Sequence, residues 1–317
     1  MSFDSDTLLT GWKARGSIFK PDTGIWWLGG GAGAFCLQQG EGDLVRMFLT
    51  GRDRTVRTRI GAVTLRWNER PEVVDVTPEP IFDLGELGSF DMDGVSYPWV
   101  VENDGALFMY YVGWLRLGGH IPFQNQIGLA ASTDGGRTFK RVTRRPLLPQ
   151  SNEEYIGNGS CYVERVPGGW RMYYTSFLRW ELRDDGPRHY YHIKEAYSKD
   201  GIDWERPRTV IVDLIPPEEY ALGAPDILDM PDGKALLFTA RGHRYRLFVS
   251  VEDAAGKWRR LPDSIDLPRS DFDAEMQCYP RTFRQQGRTY LFYSGDGYGR
   301  AGIGYAEWQP AQNEAAT

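Results

Sequence analysis

Residues 127–139 read IGLAASTDGGRTF: an apolar run, then an Asp-Gly-Gly turn, then the aromatic residue Phe139. Four other stretches of the chain follow a similar order, and they end at Trp67, Trp204, Trp258 and Trp308. Successive aromatic residues in this series are 72, 65, 54 and 50 residues apart. A period of this size indicates that one supersecondary unit is repeated five times along the chain.

The second unit shows the predicted strands most clearly. Residues 95–101 form one strand, and NDG at 103–105 is the kind of tight turn that joins hairpin strands. Residues 107–112 (LFMYYV) form the next strand and residues 127–132 the third. The turn at 134–136 then leads into the final short run. Each unit is therefore predicted to be a four-stranded antiparallel sheet.

Five such sheets in 317 residues predict an all-β fold, a five-bladed β-propeller in which radial repetition protects the sheet edges. We expect a single domain over residues 1–317. Its blades are predicted near residues 30–85, 86–150, 151–215, 216–268 and 269–308. Because the last unit stops soon after Trp308 and lacks an outer strand, the N-terminal segment near residues 12–19 is expected to supply that strand and close the ring.

The composition excludes several classes of function. The net charge is −6, and no run of lysine and arginine reaches the density of a nucleic-acid site. The three cysteines are far apart and lack metal-ligand spacing, so neither a disulfide framework nor a metal site is predicted. No apolar run is long enough to span a membrane, and the acidic N-terminus lacks a signal-peptide core. We expect a cytoplasmic protein without a cofactor, and its oligomeric state is left open.

Five stretches resemble the five-bladed glycoside hydrolase superfamily of arabinanases, β-xylosidases, invertases and levansucrases (families 43, 32 and 68). They are residues 88–98 (GSFDMDGVSYP), 107–114, 127–139, 193–204 and 293–306. The chain looks most similar to hydrolase-like propellers found among bacterial polysaccharide-biosynthesis genes. This resemblance implies a small-molecule or oligosaccharide substrate and three acidic residues on the innermost strands of different blades.

Glycoside hydrolysis needs two carboxyl groups beside the scissile bond, one kept protonated and one ionised. The starts of the innermost strands offer Asp93, Glu154, Asp226 and Glu275. Asp93 and Glu275 each precede a hairpin glycine by 12 residues, and Glu154 and Asp91 each precede one by 14. Under the resemblance, Asp93 would be the base or nucleophile and Glu154 the general acid, with Asp226 or Glu275 tuning the pair.

Other side chains near the predicted axis are candidates for contact with a substrate, because flat rings can stack on sugar faces. The predicted contacts are Asp91, Trp27, Tyr97, Trp114, His120, Tyr279 and Arg281. His120 belongs to the long loop at 115–125, which is expected to border the pocket mouth on the side of Asp93. Residues 295–299 (GDGYG) are interpreted as a hairpin or loop over the pocket.

Several arginines allow two interpretations. Arg52, Arg54, Arg57 and Arg59 alternate with small polar residues and are interpreted as a solvated face or a pocket rim. Another group could bind a carboxylate or phosphate on a sugar, although ion pairs at strand edges are the simpler interpretation. Its members are Arg241, Arg244, Arg246 and Arg281.

Two departures from the superfamily keep other functions open. Residues 26–34 (WWLGGGAGA) carry no carboxylate where the first blade should hold its base, and VSYP at 95–98 replaces an Arg-Asp-Pro-like stretch. The hypotheses are therefore a glycosidase-like enzyme acting on a bacterial glycan or sugar-linked metabolite, a non-catalytic sugar-binding propeller, and a biosynthetic transferase or cyclase. Clustered carboxylates would favour an enzyme. A pocket of stacking rings without a close acid pair would favour binding.

Overall fold

The computed structural model of the protein describes residues 5–231 and 233–309. The remaining residues of the predicted 1–317 domain lie outside the described part. Within it, helical structure is confined to α1 (Ser5–Thr10), a 3-10 turn at Trp26–Leu28 and the short α2 (Asp296–Gly299). No helix in these ranges is long and apolar enough to cross a membrane. The described chain is otherwise nearly all strand and turn, as predicted.

The strands fall into five consecutive groups. The first half of the chain contains β1 (Trp12–Phe19), β2 (Gly31–Gln39), β3 (Leu44–Arg52), β4 (Thr58–Trp67), β5 (Pro71–Val76), β6 (Gly94–Asn103), β7 (Ala106–Arg116), β8 (Phe123–Ser132) and β9 (Lys140–Arg141). The second half contains β10 (Asn158–Val166), β11 (Gly169–Arg183), β12 (Gly186–Ser198), β13 (Trp204–Glu205), β14 (Val210–Val212), β15 (Ala221–Met230), β16 (Gly233–Arg241), β17 (Tyr245–Glu252), β18 (Trp258–Ser264), β19 (Cys278–Gln285), β20 (Arg288–Ser294) and β21 (Ile303–Trp308).

Within each group, neighbouring strands pair antiparallel. The groups are β2 to β5, β6 to β9, β10 to β14, β15 to β18, and β19 to β21 with β1. In the last group the strand order is β1-β21-β20-β19, with Trp12 opposite Trp308 and Phe19 opposite Ile303. The N-terminal strand therefore completes the unit that the sequence leaves one strand short.

The first strands of the five units contact one another in a cycle. Strand β2 contacts β6, β6 contacts β10, β10 contacts β15, β15 contacts β19, and β19 contacts β2. Hydrogen bonds join every pair of neighbouring units: Tyr97 N to Thr50 Oγ1 (2.9 Å), Ile127 N to Asn158 Oδ1 (2.8 Å), Ala224 N to Ser160 Oγ (2.8 Å), Tyr279 N to Thr239 Oγ1 (2.8 Å) and Ser294 Oγ to Gly33 O (3.1 Å). These five innermost strands surround the position of the candidate site.

Each innermost strand carries a β-bulge at the same place. Two residues of the innermost strand stand opposite one residue of its partner, between positions 32 and 35, 96 and 99, 158 and 161, 223 and 226, and 278 and 281. In three of the bulges a residue with positive φ precedes a proline: Tyr97, Ala224 and Tyr279. Proline fits here because a bulge leaves a residue out of the ladder, so no backbone N–H is required.

Apolar layers fill the space between neighbouring sheets, and the Trp27 ring belongs to one of them. Trp27 is fully buried with Phe35, and its Nε1 donates a hydrogen bond to Thr77 O. A Cβ atom at Gly51 would lie 2.1 Å from this ring, so the strand needs glycine there for the ring to pack flat. The prediction that Trp27 contacts a substrate is corrected, because its side chain packs in the core.

Three units repeat an internal anchor between a carboxylate and a tyrosine 20 residues later. The hydroxyl groups of Tyr111, Tyr174 and Tyr293 donate to Asp91 (2.8 Å), Glu154 (2.7 Å) and Asp273 (3.1 Å), respectively. All three carboxylates are almost fully buried. We call this pair the blade anchor. In these three units it fixes the segment that enters the innermost strand to the second strand of the same unit.

Candidate functional site

A cavity of about 300 Å³ opens among the bulges of the innermost strands. We call this cavity the axial pocket. Tyr97, Ser160, Ala224 and Tyr279, all bulge residues, line it. A second cavity of about 380 Å³ adjoins it, sharing Tyr97 and Tyr279 and adding Trp114. The repeated backbone irregularity thus brings side chains from four units to one place.

Hydroxyl groups meet inside the pocket in two tyrosine pairs. Tyr97 Oη lies 3.0 Å from Tyr279 Oη, and Tyr245 Oη lies 3.4 Å from Tyr298 Oη. Burial raises the pKa of Tyr97 to about 12 and raises the pKa of Tyr279 well above its ordinary value. These hydroxyls stay protonated at neutral pH, so they can donate hydrogen bonds to a ligand.

One wall of the pocket consists of aromatic rings. His189 is stacked on Tyr191, with ring centroids 4.8 Å apart, and lies 5.2 Å from Phe123 and 5.5 Å from Phe177. Burial and the positive charge of Arg241 lower the pKa of His189 to about 3. The imidazole is therefore neutral at physiological pH, and the wall presents flat, uncharged surfaces.

The charged groups of the pocket are cationic. Arg52 and Arg241 line it, and the Arg241 guanidinium lies 5.0 Å from the ring centroid of Tyr245. Among the described residues, no aspartate or glutamate lines the pocket. The same part of the chain contains no group of three or more histidine, cysteine, aspartate or glutamate side chains placed to hold a metal ion. The pocket is aromatic, hydroxylated and positively charged.

Glu154, the predicted general acid, is held inside its own unit. Its carboxylate accepts hydrogen bonds from Tyr174 and Ser176, and it pairs with Lys194 at 3.1 Å and Arg206 at 2.7 Å. Burial alone would raise the pKa of Glu154, but these four partners hold it below its ordinary value. A general acid needs the opposite shift. Glu154 is 3% exposed and does not line the pocket.

The predicted acids of units two and five lie away from the pocket lining as well. Asp91, which was predicted as a substrate contact, is bound by Tyr111 and by Arg141 at 2.7 Å and lines neither cavity. Asp93 accepts a hydrogen bond from Arg116 N at 2.9 Å, next to the hairpin that carries Trp114. Glu275 is 69% exposed and faces Arg244 at 3.5 Å. None of the four predicted catalytic residues lines the axial pocket, and their catalytic roles remain predictions. These residues are Asp93, Glu154, Asp226 and Glu275.

Asp226 and Arg281 form a buried ion pair at 3.7 Å, with both side chains almost fully enclosed. Arg281 also donates to the backbone oxygens of Phe35 and Pro225, at 2.9 and 2.8 Å, and its guanidinium lies 5.1 Å from the ring centroid of Trp99. It therefore links its own unit to three others. The predicted substrate contact at Arg281 is corrected to a structural one, since all of these partners belong to the protein.

Three of the predicted substrate contacts line the cavities: Tyr97, Tyr279 and Trp114. Trp114 Nε1 donates to Thr58 Oγ1 at 2.7 Å, which fixes its ring at the second cavity. His120 is exposed in the turn between β7 and β8 and is absent from the pocket lining.

Two segments that were predicted as loops also contribute residues to the pocket, but these residues lie in β8 and in α2. The loop predicted at residues 115–125 supplies Phe123 and Asn125 to the lining. The glycine-rich segment at 295–299 supplies Tyr298.

Four lining residues occupy one equivalent position, which sequence analysis missed as a set. Arg52, Trp114, Phe177 and Arg241 each stand at or near the pocket end of the second strand of a unit. Each follows the residue aligned with Thr50 by two positions. Aligning the second strands of the repeats, rather than counting back from hairpin glycines, would have found them.

Comparison with solved structures defines the class of fold. The chain superimposes on a structure titled "Glycoside hydrolase" with a TM-score of 0.73 at 14% identity, covering 96% of this chain and 95% of the other. A family-130 structure, titled as mannoside phosphorylases containing hydrolases that target β-1,2 mannosidic linkages in Candida mannan, gives 0.72 at 16% identity, covering 97% and 96%. A thermostable family-43 glycoside hydrolase gives 0.63 at 13%, covering 87% and 88%. The chain has the propeller-like fold of these glycoside hydrolases, which confirms the predicted resemblance.

Sequence comparison identifies relatives over nearly the whole chain, although no protein-family model matches it. The uncharacterized proteins Rv1502 and MT1551, from two strains of Mycobacterium tuberculosis, are each 32% identical over 297 residues. The alignment covers 93% of this chain and 98% of each relative. The chain belongs to the family of these mycobacterial proteins.

Proposed function

We propose that this protein is a glycosidase-like enzyme that takes a sugar of a bacterial glycan or sugar-linked metabolite in its axial pocket. The five units would be the blades of a closed propeller, as the cycle of contacts among innermost strands supports. The observation that carries the proposal is the pocket itself. A concave site with aromatic walls and a few convergent polar groups is the usual form of a small-molecule site.

The lining assigns a role to each kind of side chain. The rings of Phe177 and Tyr191 offer flat faces for the apolar face of a sugar, and the hydroxyls of Tyr97 and Tyr279 offer hydrogen bonds to its oxygens. Asp93 is our remaining candidate acid or base among the four predicted residues, because it stands beside the hairpin that carries Trp114. The buried anchoring of Glu154 argues against the same role there.

A non-catalytic sugar-binding propeller is the second candidate. The specific observation in its favour is that no described aspartate or glutamate lines the axial pocket. A paired-carboxylate mechanism therefore has no pair at the place where the rings would hold a sugar.

The test combines a screen of aryl glycosides with calorimetric titration of glycans and monosaccharides. Phe177→Leu should weaken sugar binding about tenfold, since the aromatic face is lost, while Tyr197→Leu, at a ring outside the pocket, should not. Turnover that falls about 10²-fold or more in Asp93→Asn would support the enzyme and that residue. Binding without turnover of any glycoside would favour the second candidate, and absence of sugar binding would reject both.

A further inference from the structure

Two arginines of the axial pocket lack an anionic partner among the described residues. Arg52 and Arg241 occupy equivalent positions at the ends of β3 and β16, and both line the pocket. Three other enclosed arginines of this protein are each paired with a carboxylate: Arg59 with Asp53 at 2.7 Å, Arg141 with Asp91 at 2.7 Å, and Arg171 with Glu195 at 2.8 Å. Arg46 also lacks a carboxylate, but it donates to Gly135 O away from the pocket, whereas the two pocket arginines share one cavity.

The groups around these arginines do not neutralise them. The lining contains neutral His189, protonated tyrosines and uncharged hydroxyls such as Ser160 and Thr175. Arg241 stacks against rings, at 5.1 Å from the centroid of Tyr220 and 5.0 Å from that of Tyr245. With two guanidinium groups and no described carboxylate in its lining, the pocket has a net charge of about +2.

We propose that the axial pocket recognises a phosphoryl group together with the sugar, with Arg52 and Arg241 as its anion-binding residues. This inference rests on the proposed function, because it specifies the substrate class of the same pocket. A guanidinium presents a fixed fork of donors that matches phosphate oxygens. A phosphate monoester or hydrogen phosphate carries close to the two negative charges that the pocket lacks.

The phosphoryl group has two possible sources with the same chemistry. It is either a substituent of the sugar or an inorganic phosphate bound beside it. The arrangement of the lining suits both, because the ring wall at Phe177 and Tyr191 and the arginines lie in one cavity. Neutral sugars would use only the rings and hydroxyls, so they should bind more weakly than ligands that also carry phosphate.

The experiment measures dissociation constants by calorimetry for the full chain. The probes are glucose, galactose and mannose, each as the free sugar, the 1-phosphate and the uronate, and inorganic phosphate with and without free sugar. The variants are Arg52→Gln and Arg241→Gln. The control is Arg144→Gln, which removes one positive charge at a side chain that is 91% exposed. Melting temperatures check that each variant is folded.

We expect a 1-phosphate to bind at least tenfold more tightly than its free sugar, with affinity falling as salt is added. Each pocket variant should weaken phosphate-dependent binding about tenfold or more, and by a larger factor than it weakens free-sugar binding. Arg144→Gln should match the wild type. If a glutamine variant is unstable, Arg241→Lys should still show a partial loss, since lysine keeps the charge but not the fork. Cooperative binding of free sugar and inorganic phosphate would show that the phosphoryl group is an inorganic phosphate bound beside the sugar.

Three outcomes would overturn the inference: phosphates that bind no better than free sugars, equal losses in the control variant, or uronates that depend on the arginines while phosphates do not. If phosphates bind no better than free sugars but the free sugars bind tightly, the inference falls and the proposed function stands. If phosphate binds through the arginines but no sugar adds affinity, the conclusion is the opposite. The anion site would stand and the sugar-directed function would fall.

Discussion

At the scale of single residues, the surroundings of a carboxylate decide whether it can react. Glu154 and Asp91 begin units where the resemblance places acids, yet each is saturated by donors of its own unit. These donors hold both side chains in place, and for Glu154 they favour the ionised form, which suits a structural anchor. Sequence spacing found these residues correctly as repeated positions, but it could not reveal their partners, because Tyr174 and Arg206 lie 20 and 52 residues away.

Glu154→Gln should therefore lower stability. We expect a loss of about 1.5–3 kcal/mol in the free energy of unfolding at pH 7, because hydrogen bonds to a charged group are lost. Glu153→Gln, at an exposed neighbour paired with exposed Arg208, should change it by less than about 0.5 kcal/mol. Denaturant titration measures both, and equal effects of the two substitutions would contradict the anchor.

The pH dependence of this loss has a definite sign. The folded-state pKa of Glu154 lies below its unfolded value, so its stabilisation is present above the unfolded pKa, about 4.3, and disappears as the pH falls through the folded value. The stability difference between wild type and Glu154→Gln should accordingly shrink below about pH 4. A difference that grows on acidification would reject the assignment.

At the scale of elements, the sequence predicted where most strands lie. It did not predict which face of the sheet each side chain occupies. Turn signals and aromatic runs placed most strands, including the segment at Trp12–Phe19. Each innermost strand, however, gains one residue at its bulge, which reverses the side-chain alternation beyond that point. Counting back 12 residues from Gly105 to Asp93 crosses the bulge at Tyr97, so the count carries no information about which way the carboxylate faces.

Removal of residues 1–20 tests the role of β1. It would expose the edge of β21 and uncover the rings that Trp12 and Phe19 protect, so we expect aggregation and a lower melting temperature. Gel filtration with light scattering, together with a thermal melt, measures the outcome. A truncated chain that stays monomeric with an unchanged melting temperature would show that β1 is dispensable.

At the scale of the whole molecule, the buried pair of Asp226 and Arg281 ties units together near the axis. Arg281 reaches Phe35 O, Pro225 O and the Trp99 ring. A radial arrangement was predicted from the five-fold repeat. The ionic centre was not, because an Asp-Arg pair 55 residues apart has no local signature in one sequence.

Asp226→Asn and Arg281→Met should each destabilise the protein by about 3–5 kcal/mol, since each leaves one buried charge without its partner. The double variant should lose much less than the sum, and chemical denaturation of all four proteins gives the coupling energy. Additive losses would mean that the two side chains act independently.

The same pair predicts a pH effect of opposite sign to that of Glu154. Burial raises the pKa of Asp226 to about 6 despite the opposing charge of Arg281, so the folded state binds a proton more tightly than the unfolded state. The contribution of Asp226 to stability should increase as the pH falls from about 6 to about 4. Comparison with Asp226→Asn across this window isolates it, and an unchanged difference would contradict the raised pKa.

The bulges at Tyr97, Ala224 and Tyr279 have a consequence for how such a protein can change during evolution. Each bulge is held by its own backbone N–H, which donates to a hydroxyl of the preceding unit: Thr50, Ser160 or Thr239. The side chain at the bulge is therefore not required for this hydrogen bond between units. Substitutions there can exchange one chemistry for another without redesign of the sheets. A lineage could thus lose an acid at such a position, acquire a tyrosine, and keep its architecture while its ligands change.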